Sequence, residues 1–125
     1  MGELNIELKG RIPSKKNSKR WVIAGGKRFL VPSKEYKLWH EEQMWELKKY
    51  KVKSPIKKCR IWVKIAFPDK RKADLSNKIE SINDLLVDAY ILEDDDHRIL
   101  TGLYIDSLGV DPKNPRAIIK IKIIN

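Results

Sequence analysis

Residues 59–67, Cys-Arg-Ile-Trp-Val-Lys-Ile-Ala-Phe, put Ile61, Val63, Ile65 and Phe67 at every second position. A period of two places these side chains on one face of a strand, and that face needs an apolar layer to cover it. Residues 4–9 (Leu-Asn-Ile-Glu-Leu-Lys) and 117–124 alternate in the same way, and residues 99–108 read as a further strand. The covering layer is predicted from two segments of helical spacing. Tyr36, Trp39, His40, Met44 and Leu47 recur from Ser33, a candidate N-cap, to about Lys49. Leu75, Ile79, Ile82, Leu85, Leu86 and Ala89 recur over residues 75–89. Gly25-Gly26 can supply the positive φ angles of a tight turn, so a hairpin is expected across residues 21–31. The prediction is an α+β fold in one domain, residues 1–125: a small mixed β-sheet with two main helices packed on one face. Hydrophobic residues make up 42% of the chain, enough for a core rather than a disordered basic tail.

Charge is sorted along this framework. Residues 73–111 hold 10 acidic and 2 basic side chains, whereas residues 1–72 hold 7 acidic and 21 basic, and the whole carries a net charge of +10. Such a basic surplus suits a polyanion. No apolar run approaches the roughly 20 residues a membrane helix needs. The start, Met-Gly-Glu-Leu-Asn, lacks the pattern of a secretion signal. The single cysteine, Cys59, excludes an internal disulfide and a cysteine-based zinc cluster. A reducing cytoplasm is the expected compartment, and no organic cofactor is called for.

Within the acidic half, Glu93, Asp94, Asp95 and Asp96 are consecutive. Carboxylates held this close repel one another, and hard divalent cations with oxygen ligands offset that cost. Asp74 stands where a strand has ended and a helix begins. It can project into a cleft, act as an N-cap, or do both. Asn77, Glu80, Asp84 and Asp88 fall on one face of the second helix. If the turn after this helix folds back on that face, Glu80 and Asp84 bridge between Asp74 and the pair Asp95-Asp96. Magnesium needs only one or two direct carboxylates. A pair of ions about 3.5–4 Å apart needs a bridging one. The bland alternatives are a solvated helix face and a polar loop. The cations expected to meet phosphates are Lys15, Lys16, Lys19, Arg20, Lys70, Arg71 and Lys72, giving an affinity that falls with salt.

The order Gly10-x-Ile12-Pro13-Ser14-Lys15-Lys16-Asn17, Pro68-Asp69, Lys72-Ala73-Asp74-Leu75-Ser76-Asn77, Asp84-Leu85-Leu86 and Asp95-Asp96 resembles the RusA family of Holliday junction resolvases. The resemblance spans about residues 4–124. It implies a homodimeric endodeoxyribonuclease that binds four-way DNA junctions, uses Mg2+ (or Mn2+) and leaves paired nicks with 5′-phosphates, in recombination and repair. It also implies that Asp74 and Asp96 are catalytic, with Asp95 beside Asp96, and that Asn17 belongs to the DNA-binding segment. Two positions depart from the family pattern. Ser76 stands where an aspartate is usual, and Glu80 where a lysine is usual. Glu80, one turn past Ser76, is expected to restore the catalytic and metal-binding carboxylate, and Lys78 the positive charge toward DNA. Ile6 and Leu8 of the first strand, and the hairpin, are candidate dimer elements. The competing class is a non-catalytic branched-DNA or RNA-binding domain, which explains the basic surface but not the segregated carboxylates.

Overall fold

The structure is a computed structural model that describes residues 2–14, 19–50 and 52–124. The elements run β1 (Glu3–Lys9), β2 (Lys19–Ala24), β3 (Lys27–Pro32), α1 (Lys34–Leu47), β4 (Cys59–Phe67), α2 (Leu75–Asp88), β5 (Leu100–Val110) and β6 (Arg116–Ile123). The main sheet has the order β1-β6-β4-β5, with β4 and β5 parallel and the other two pairings antiparallel. The expected α+β class, with a mixed sheet and two helices, is what forms.

Alternation fixes which face is covered. Ile6 and Leu8 of β1, Ile61, Val63 and Ile65 of β4, and Ala117, Ile119 and Ile121 of β6 are all at most 2% exposed. They pack with Tyr36, Trp39 and Leu47 of α1 and with Ile79, Ile82, Leu85 and Leu86 of α2. Both helices therefore lie on one face of the sheet. No helix among the described residues is long and apolar enough to cross a membrane.

The local signals act as expected. Ser33 Oγ accepts from the Tyr36 N–H at 3.1 Å, capping α1. Gly25 (φ 59°) and Gly26 (φ 75°) turn β2 into β3, which form a separate two-stranded sheet. β5 runs to Val110, two residues past the expected end, across an irregularity in its pairing opposite Ile65 and Ala66.

Helix α2 ends in a Schellman motif. The Ile91 N–H donates to the Leu86 carbonyl (3.0 Å) and the Tyr90 N–H to the Val87 carbonyl (3.0 Å). The residue in the left-handed conformation is Tyr90 (φ 59°), where glycine is usual, and its side chain is exposed. A non-glycine residue there costs about 1–2 kcal/mol. Tyr90→Gly is accordingly expected to raise stability by about 0.5–1 kcal/mol, after glycine's larger chain entropy is deducted. Urea unfolding with an unchanged slope checks this, and a lower midpoint contradicts it.

Candidate active site

The segment after β1, residues 10–14, is irregular yet buries Ile12 and Pro13. Irregular buried backbone needs donors for its carbonyls. Helix α2 supplies them: Lys78 Nζ donates to the Ile12 carbonyl at 2.6 Å, and Ser81 Oγ to the Pro13 carbonyl at 2.7 Å. Lys78 is only 6% exposed. Burial, with Arg11 nearby, lowers its pKa from the usual lysine value. The ammonium expected to face DNA is thus engaged in holding the 10–14 segment on α2, at the wall of the cleft. Lys78→Ala leaves the Ile12 carbonyl without this donor and is expected to cost about 1–3 kcal/mol. Denaturant unfolding measures it, and a midpoint at the wild-type value contradicts the anchoring role.

The cleft itself, of about 240 Å3, lies between the 10–14 segment, the β4–α2 loop and the start of α2, and includes Arg11, Glu35, Lys72, Asp74, Asn77 and Lys78. Asp74 occupies the N-cap position, with extended backbone (φ −85°, ψ 126°), but its side chain makes no capping hydrogen bond. Its Oδ2 instead accepts from Asn77 Nδ2 at 3.4 Å. The carboxylate is exposed, and α2 has no acidic residue in its first turn. The positive end of the helix therefore adds to Arg11, Lys72 and Lys78 in making the cleft attractive to an anion. In the same loop, Arg71 is engaged with Asp69. The Arg71 N–H donates at 3.0 Å and its Nε at 3.0 Å, holding the Asp69 carboxyl below its usual range. Lys70 and Lys72 are exposed.

The other carboxylates collect toward the far end of α2. Asp95 has its pKa raised, first by desolvation, then by a hydrogen bond with Asp94 and by the charges of Asp84 and Asp94. Asp96 differs: Arg98 donates to it from Nε (3.1 Å), Nη2 (2.8 Å) and its backbone N–H (2.9 Å), lowering its pKa to about 2. The turn does fold back on the polar face of α2, as the sequence suggests, but at Asp84. Asp74 is ten residues from Asp84, about 15 Å along the axis, so these two carboxylates do not meet at one ion within a chain. Among the described residues no three His, Cys, Asp or Glu side chains converge as a ready-made metal cage.

Tyr36 of α1 joins this acidic end. It is 4% exposed, and its hydroxyl has no hydrogen-bond partner among the described residues. Burial, reinforced by Asp84, Asp88 and Glu80, pushes it up to about 12. The hydroxyl is thus a neutral donor available beside carboxylates. Asp88 is paired with His40 (Nε2–Oδ2 2.7 Å). Both line a groove of about 630 Å3 between the hairpin and α1, which also takes in Arg20. Lys15, Lys16 and Asn17 lie outside the described residues, as does the side chain of Lys19.

Sequence reasoning missed Arg11 and the Tyr36 hydroxyl. Arg11 adjoins the Ile12-Pro13-Ser14 run, and its place in that run was the available signal. Tyr36 reads correctly as core, and nothing in helical periodicity reports where a phenol oxygen points. No protein-family profile matches the chain, and no curated protein matches it significantly.

Proposed function

We propose that this chain is a metal-dependent, structure-specific endodeoxyribonuclease similar to the RusA resolvases, acting on four-way DNA junctions as an intracellular homodimer in recombination and repair. The observation that carries this reading is Asp74: a carboxylate not used for capping, in a cleft that it shares with Glu35, with the cations Arg11, Lys72 and Lys78 and with a helix N-terminus. That combination suits a phosphodiester and a hard cation together. The donors present, Asp74 at one end of α2 and Asp84 with Asp94 and Asp95 at the other, are all oxygen, as magnesium or manganese requires. The pKa of Asp95 is raised first by desolvation, and the charges of Asp84 and Asp94 that add to it are ones a cation would offset.

Arg11 and Lys72 would bind the phosphate, with the α2 N-terminus orienting it. Asn77 Nδ2 holds the Asp74 carboxylate in its position. Asp74, Glu80 and Asp84 on α2 and Asp95 and Asp96 on the turn are the proposed metal-binding set. Asp96 joins only if Arg98 yields. When bound, the cation lowers the pKa of water and stabilises the leaving oxygen. Because the two ends of α2 are far apart, a two-fold dimer is the arrangement in which both would serve one phosphate.

The alternative is a branched-DNA or RNA-binding domain without catalysis. Ser76 in place of the usual aspartate, and the separation of the carboxylates, favour it. Melting against Mg2+ and Mn2+ separates the two readings. A site formed only in the fold raises Tm as ion concentration rises, and less so in Asp95→Asn. A Tm indifferent to both ions contradicts the enzyme.

A further inference from the structure

The face of the main sheet opposite the helices is also specialised. Its two central strands, β4 and β6, carry no acidic residue, and Arg60, Lys64, Lys120 and Lys122 project from them exposed. Set among these cations is an aromatic pair. Trp62 of β4 lies opposite Tyr104 of β5, their rings stacked with centroids 5.2 Å apart and planes at 12°. Lys120 Nζ stands 5.5 Å from the Trp62 ring, and Tyr104 is 48% exposed.

The backbone is fitted to this arrangement. Gly102 precedes Tyr104 on the same face, and a Cβ there would lie 3.2 Å from Arg60 Cγ and 3.2 Å from Tyr104 Cε2. Glycine thus lets the arginine stem and the tyrosine ring rest against the strand. The acidic side chains on this face, Glu3 and Glu7 of β1 and Asp106 of β5, are confined to the edge strands.

We propose that this sheet face is a platform for single-stranded nucleic acid, with a base stacking on Tyr104 beside Trp62 and phosphates meeting Arg60, Lys64 and Lys122. A cross-strand aromatic pair can serve sheet stability alone. Here the pair is half open to solvent and bordered by cations that outnumber the acids, Glu3 lying 3.5 Å from Lys120 Nζ and Asp106 opposite Lys64 on the edge strands. That is the chemistry an unpaired strand requires: aromatic faces for bases and charge for the backbone. A paired duplex offers no free base face to such a surface. The proposal does not depend on the cutting reading, because it uses the face remote from Asp74.

The test is fluorescence anisotropy in EDTA with a labelled oligothymidylate and a duplex of equal length, for wild type, Tyr104→Ala, Tyr104→Phe and Lys64→Ala. Circular dichroism and sedimentation accompany each protein. The oligothymidylate is expected to bind, Tyr104→Ala to weaken it roughly tenfold, and Tyr104→Phe to retain it. Lys64→Ala should reduce the salt slope by about 0.7, and Tyr104→Ala should leave that slope unchanged. Duplex binding should not respond to Tyr104→Ala. Absent oligothymidylate binding, or equal binding by folded wild type and folded Tyr104→Ala, overturns the platform. So does a dimer that becomes monomeric in Tyr104→Ala, which would give the face to a second copy. If Tyr104→Ala fails to fold, ultraviolet crosslinking of the oligothymidylate to wild type decides. Adducts on the β4 or β5 peptides support the proposal, and adducts elsewhere overturn it.

Discussion

Asp74→Asn is expected to end junction cutting while leaving junction binding intact. The substitution removes one negative charge and keeps the shape. Asparagine is as good an N-cap as aspartate, so α2 should be no less stable. Asp74 makes no capping bond to lose, and its contact with Asn77 is long. What disappears is the carboxylate in a cleft with Arg11, Lys72 and Lys78. Loss of one preorganised group that stabilises charge in a transition state costs on the order of 10²–10³-fold in rate. Binding in EDTA should stay near the wild-type value or tighten, because an anion has been withdrawn from a phosphate site. Single-turnover cutting and gel shift on the same preparation measure the two effects. A variant that nicks at the wild-type rate removes Asp74 from the chemistry. A variant that neither binds nor cuts would make its role positional.

Ile119→Ala should be the most damaging of the apolar truncations. Ile119 is wholly buried on β6, directly opposite Ile6 of β1 and Val63 of β4, which are themselves at most 2% exposed. β6 is a central strand, so its neighbours on both sides are fixed by ladder hydrogen bonds and cannot close in on a cavity. Truncation of a buried isoleucine under such conditions costs about 2–5 kcal/mol. Against the roughly 5–15 kcal/mol of a typical domain, that is a large share. Urea or thermal unfolding checks it. A loss below about 1 kcal/mol would mean the site repacks and that the sheet–helix core is looser than its burial implies.

Most of the elements were legible because their periodicities were undisturbed. β4 and β6 are covered on one face only, so period two appears directly in Ile61, Val63, Ile65 and in Ala117, Ile119, Ile121. β5 was harder to bound. It is an edge strand, and Asp106, Ser107 and Gly109 interrupt its pattern where the pairing slips. Strand order was not legible, since nothing in the alternation of β6 says that it inserts between β1 and β4. At the site, the position of Asp74 at the start of α2 followed from the end of β4 and the helical spacing after it. The burial of Lys78 did not, because it depends on where a distant irregular segment lays its carbonyls. The separation of Asp74 from Asp84 follows from the 1.5 Å rise of a helix, whereas helix-face spacing alone reported only that Glu80, Asp84 and Asp88 share a face. Likewise, a run of aspartates does not show which carboxylate an arginine two residues later will take. Arg98 takes that of Asp96 and leaves Asp95 beside Asp84.

The most direct test is the action of the wild-type protein on an end-labelled synthetic four-way junction. Mg2+ is compared with EDTA, and a linear duplex of the same arm sequence is run alongside. The account predicts paired, symmetric nicks with 5′-phosphate ends, on the junction alone and only with metal. Tight junction binding without a nick in either Mg2+ or Mn2+ would contradict it and would leave a binding protein whose altered Asp74-Leu75-Ser76-Asn77 element does no chemistry.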